Sequence, residues 1–171
     1  MPLVSASLDS AFQPPKQDAA TALAAFKSAW EAAFQGAVVG SSGIPSGGLS
    51  GPLSAMDAGL LAMFVPSGTA ASAAAAVQAG VAAFWTQLLL SSPTIFTTPP
   101  PAPIVLVPGG TPSPGVASIG AALTAVFTSN ALVKDPVTAA AAITGAIAPA
   151  LVGGTVLGSV PPAAPAPIPI L

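Results

Sequence analysis

Only eight side chains in the 171 residues carry charge: Asp9, Lys16, Asp18, Lys27, Glu31, Asp57, Lys134 and Asp135. There is no His and no Cys. A Ser or Thr nucleophile needs a base within hydrogen-bond reach, and the only candidates are five carboxylates and three lysines. Two carboxylates facing each other across a pocket would suit glycoside cleavage. Asp9, Asp18, Glu31 and Asp57, however, fall near expected helix caps or on solvated helix faces. The Gly47-Gly48 and Gly109-Gly110 pairs lack the Gly-Lys-Ser/Thr ending that holds a phosphate. Without Cys, neither disulfides nor thiolate metal sites can form. The expectation is a protein that is not an enzyme, with no catalytic, cofactor-binding or metal-binding residues and no small-molecule substrate.

The rest of the composition points the same way. Alanine supplies 39 residues, and hydrophobic residues reach 53% while aromatics reach only 5%. Small side chains let backbones approach closely but bury little each, at about 0.8 kcal/mol per CH₂. Charged residues are 5% of the chain, against about 25% in an ordinary globular protein. None lies between Asp57 and Lys134 or after Asp135. A surface that forgoes charge is either covered by neighbours or lipid, or solvated by Ser, Thr and Gln. A net charge of −2 with three lysines and no arginine gives nothing to hold a phosphate backbone, so no nucleic-acid partner is expected. Met1-Pro2-Leu3-Val4-Ser5 has neither the basic start nor the apolar run of a secretory signal.

Proline and glycine punctuate the chain into elements. A short helix is expected from Leu3 to Phe12, with Leu3, Leu8 and Phe12 roughly on one face, stopped by Pro14-Pro15. Asp18 reads as the N-cap of a helix running to about Phe34, with Leu23, Phe26, Trp30 and Phe34 forming one apolar stripe. Gly36 to Gly51 reads as loop. Pro52 opens a helix to about Phe64, and Thr69 to Leu90 forms a long Ala-rich one. Pro93 to Pro114 is too Pro-rich for helix and reads as an extended arm, β or polyproline II at Ile104-Val105-Leu106-Val107. Helices follow at about Val116–Asn130 and Pro136–Ala148, then an extended tail from Pro161 to Leu171. The fold class is therefore mainly α, with extended Pro/Gly-rich arms and a little β at 104–107. The divisions are a helical body at 1–92, an arm at 93–114, a second helical segment at 115–158 and a C-terminal arm at 159–171.

Four helices share a pattern: hydroxyl, two variable residues, Ala-Ala or its like, large apolar, polar, two small, large apolar. It begins at Thr21, Ser72, Ser118 and Thr138, at uneven intervals that exclude a solenoid. The competing explanation is that Ala-rich amphipathic helices resemble one another by composition alone. Trp30 and Trp85 lie on apolar helix faces, where core packing is expected ahead of subunit contact. Thr69–Leu90 is long enough to cross a bilayer, but Gln78 and Gln87 and the absence of flanking Lys or Arg disfavour a membrane span.

Leu3 to Phe12, followed by the Ala-rich run from Ala19 to Trp30 and then by Gly/Pro/Thr-rich arms, resembles the small Ala-rich structural proteins of tailed-phage virions and phage-like contractile particles. The resemblance covers the first 35 residues well and the remainder in style only. It implies a noncatalytic subunit of a multi-copy particle, located in the virion or phage-like assembly. Its partners would be further copies of itself and other particle proteins, held through small-residue helix faces and extended arms. Two alternatives belong to other classes. One is a secreted Ala/Gly/Pro-rich surface protein in the style of the mycobacterial PE and PPE families, whose Pro-Glu and Pro-Pro-Glu signatures the N-terminus lacks. The other is a small membrane protein with 69–90 as its span.

Overall fold

The computed structural model describes residues 19–39, 42–45, 47–62, 68–96, 104–129, 136–159 and 164–171. The expected helix at Leu3–Phe12, the Asp18 cap and the Lys134-Asp135 pair lie outside these. The chain is mainly helical with a small three-stranded sheet.

Helix α1, Ala19–Phe34, follows the expected stripe. A tiny antiparallel hairpin comes next, β1 (Val38–Val39) against β2 (Ser42–Gly43), in a stretch read as loop from its Gly-Ser content. The helix expected from Pro52 to Phe64 is two short ones, α2 (Ser50–Ala55) and α3 (Asp57–Leu61), divided at the fully buried Met56.

The long helix α4, Ala70–Leu90, starts where Thr69 and Ser72 form a reciprocal capping box, which satisfies two otherwise orphaned amides. Pro93 then opens a further helical turn, α5 (Ser92–Ile95), within a segment expected to be wholly extended. Proline costs a helix nothing in its first turn, where the missing N–H has no intrahelical acceptor. Further along the arm lies strand β3, Val105–Thr111, so β structure extends four residues beyond Val107.

A 3₁₀ turn at Pro114–Ser118 leads into α6, Ile119–Thr128. Helix α7, Pro136–Ile147, continues into a second 3₁₀ turn, Ala148–Leu151. Strand β4, Thr155–Ser159, lies in all but its last residue within the span assigned to the second helical segment, and the C-terminal arm supplies β5, Ala166–Pro169. The order is β3-β4-β5, both pairings antiparallel. The β3–β4 register shifts between Val107 and Gly110. Gly109 and Gly110 there have φ of 124° and 136°, a region that side-chain-bearing residues avoid.

The described parts of both arms thus pair with their own chain. Ile170 donates to the Gly154 carbonyl at 2.9 Å, and Leu171 and Val38 exchange reciprocal hydrogen bonds of 3.0 Å. The last residue therefore ties the sheet to the β1–β2 hairpin. Since strand amides alternate sides, Ala166, Ile168 and Ile170 face β4, while Pro167 and Pro169 stand on the outer edge.

One core unites these pieces. Its centre is a run of rings from α1 and α4: Phe26, Trp30, Phe34, Phe84 and Trp85. Consecutive contacts have centroid distances of 4.9 to 6.3 Å, several edge to face, a geometry worth about 0.5–1.5 kcal/mol per pair beyond burial. Five of the nine aromatic residues are gathered here. They supply the volume that alanine cannot.

Candidate interaction surface

Of the eight charged residues, Lys27, Glu31 and Asp57 belong to the described part. The structure brings these three into one shallow groove between α1 and the α2–α3 pair. Leu23, Lys27 and Glu31 line it from α1 together with Ala20, Ala24 and Ser28, while Leu53, Asp57 and Leu61 line it from the other side. Lys27 Nζ donates to Asp57 Oδ1 at 2.8 Å from one side of the groove to the other, and Glu31 accepts from Gln35 Nε2 at 3.4 Å. Leu61 on the rim is 52% exposed. An ion pair already closed on itself leaves little free charge for acid–base work, so the groove offers apolar contact more than chemistry.

Two of the buried hydroxyls, on Ser92 and Ser113, are committed to backbone, while those of Ser42 and Thr144 are buried without a hydrogen-bond partner among the described residues. Ser92 donates to the Leu89 and Val107 carbonyls, clamping α5 to β3. Ser113 binds the Pro149 and Val152 carbonyls and accepts from Gly115 N–H, which holds the two 3₁₀ turns together. Among the described residues, no group of three or more Asp or Glu is placed to hold a metal ion. Trp85 Nε1 donates to the Ala150 carbonyl at 3.0 Å. Trp30 Nε1 is buried without a partner among the described residues.

The second surface lies on α4. That helix is packed on α2 and α3 along one side and on α6 along another. Gln78 serves the α6 contact, accepting from the Gly120 amide at 3.0 Å, one of the first-turn donors that a helix cannot satisfy itself. The remaining side is open. Ser72, Ala75, Ala79, Thr86 and Leu90 are exposed, with Ala82 and Ala83 half-buried among them. At 100° per residue these positions fall in one stripe, about 27 Å long at 1.5 Å per residue. The chain's most apolar long helix thus leaves a face of Ala, Ser and Thr uncovered.

Sequence reasoning located α4 but not this face. Alanine occupies both its buried positions, Ala74 and Ala76, and its exposed ones, Ala75 and Ala79, so hydrophobic periodicity carries no signal there. The partial signal was the larger residues Val77, Val81, Phe84 and Leu88, whose spacing marks the opposite side as outward.

Helix α4 is long and apolar enough to cross a membrane by length and composition, and half of its most apolar window is buried inside the protein. Searches among family models, curated proteins and solved structures find no match to the chain.

Proposed function

We propose that this chain is a noncatalytic structural subunit of a multi-copy particle, of the virion or phage-like kind, that binds copies of itself or other particle proteins. The observation that carries this reading is the open α4 stripe. Without a charge or a bulky residue before Leu90, it allows another helix to approach closely, as small-residue faces do in helix pairs that pack backbone to backbone. Its setting supports the reading. Charge is the usual means of keeping soluble proteins apart, and the described surface carries only three charged side chains.

Ala75→Asp is the direct test. Ala75 is exposed, so a carboxylate there stays hydrated in the free chain and leaves folding intact. In a helix–helix contact it would be buried unpaired, at a cost of several kcal/mol. Sedimentation velocity should show the parent chain as an oligomer and the variant as a folded monomer with unchanged circular dichroism. A monomeric parent at tens of micromolar, or a variant that assembles like the parent, refutes the reading.

The packing of α4 supports a core helix over a membrane span. Its wider face packs on α1, α2, α3, α6 and the sheet, and Gln78 is engaged with α6.

A further inference from the structure

Strand β4 offers β5 an edge shaped to that strand. Gly154, Val156 and Gly158 turn their backbone groups toward β5, and the Gly154 carbonyl accepts from Ile170 at 2.9 Å. Two of those three positions are glycine, and each leaves room that a side chain would take. A Cβ on Gly158 would stand 2.6 Å from Ile168 Cδ1 and 3.0 Å from both Ile104 Cγ2 and Leu106 Cδ2, so the three side chains meet over bare backbone. A Cβ on Gly154 would stand 2.4 Å from the Trp85 ring. Main-chain bonds combined with seats for alternate side chains are how a sheet edge recognises one particular strand.

Strand β5 and the two residues after it have the make-up of such a ligand. Their side-chain grip is Ile170, buried, and Ile168, half-buried, while residues 164–167, Pro169 and Leu171 are exposed. Pro165, Pro167 and Pro169 each hold φ near the extended range, so the strand is close to its docked shape before it docks and loses little freedom in doing so. The partners it needs are β4, Val38 and the Ile104 and Leu106 side chains. All of its own contributions lie within residues 166–171, so the same strand of another copy fits the slot without change.

The geometry points to strand exchange between copies: two chains trade β5, each seated on the other's β4 and Val38. The inference rests on the assembly reading above, because a strand of the same chain wins the slot by local concentration until a neighbour is held close. Reciprocal exchange closes the pair on itself, as two-fold contacts do.

The absence of cysteine makes exchange measurable with one thiol per chain. Thr155 and Pro169 are cross-strand partners in a pair without mutual backbone hydrogen bonds, where Cα atoms lie about 4.5 Å apart, within the span of a disulfide. Chains with Thr155→Cys and chains with Pro169→Cys, equilibrated together at tens of micromolar, should oxidise to a covalent heterodimer. The rate should be at least 10-fold above that of Thr155→Cys mixed with Thr128→Cys, an exposed site on α6. Adding Ile168→Asp to the Pro169→Cys chain should return the rate to that of the control. Circular dichroism establishes that each variant is folded; should either unfold, Leu157→Cys with Pro167→Cys, the adjacent pair, applies the same criterion. A heterodimer no faster than the control, or one indifferent to Ile168→Asp, overturns strand exchange. If sedimentation then shows the parent chain assembled, the assembly reading survives alone; a monomeric parent removes both.

Discussion

Gly59 of α3 and Gly80 of α4 bring two helices into backbone contact: a Cβ on Gly59 would stand 2.4 Å from the Gly80 nitrogen and 2.6 Å from its Cα. Nothing at that spot can rotate away, since the obstructing atoms are backbone. A Cβ on Gly80 would meet its neighbours less closely, Leu60 Cγ at 3.1 Å and the Met56 carbonyl at 3.2 Å. The two glycines therefore predict unequal mutants. Gly59→Ala must push the helices apart and should lose roughly 1–3 kcal/mol. Gly80→Ala gains about 1 kcal/mol of helix propensity against a tight but yielding contact, and should stay within about 1 kcal/mol of the parent. Urea denaturation of both variants measures the difference.

Gln78→Leu makes α4 still more apolar, yet should weaken the fold. The Gly120 amide loses its acceptor, at about 1–2 kcal/mol. A core helix gives that loss in thermal denaturation. Unchanged stability together with membrane partitioning would instead mark α4 as a span.

The two tryptophans should respond differently to the same change. Trp85→Phe loses the hydrogen bond to the Ala150 carbonyl as well as ring volume, at about 2–3 kcal/mol. Trp30→Phe gives up volume but also removes a buried N–H that has no partner among the described residues, so it should cost about 1 kcal/mol less. Denaturation followed by the remaining tryptophan's fluorescence reports each.

Ile170 is 4% exposed and holds the end of the C-terminal arm. Ile170→Ala should cost about 2–4 kcal/mol while leaving helix content by circular dichroism nearly unchanged. Hydrogen exchange should quicken at Val38 and along β4, whose partners the arm supplies.

The helices were largely legible because proline, glycine and a few large residues mark them. The pattern shared by four helices illustrates why. Its two large apolar positions, Phe26 and Trp30, Val77 and Val81, Leu123 and Phe127, and Ile143 and Ile147, are all buried in or packed on the core. Its leading hydroxyls fall at helix starts, where Ser72 closes a capping box. Strand β4 was not legible. Thr155–Ser159 follows Gly153-Gly154, includes Gly158 and stands far from β3 in sequence, so only tertiary pairing with the two arms makes it a strand. Of the two surfaces, the groove was visible only as an amphipathic α1. Its far wall depends on how α2 and α3 fold back.

The alternation of proline in β5 has a consequence beyond the sheet it completes. Pro167 and Pro169 present carbonyls but no amides along the outer edge, and the next outward pair, on Leu171, is occupied by Val38. A strand arriving from another molecule would find few donors there. In a chain with so little charge to hold copies apart, this edge resists open-ended fibre growth by chemistry that no change of pH or salt can switch off.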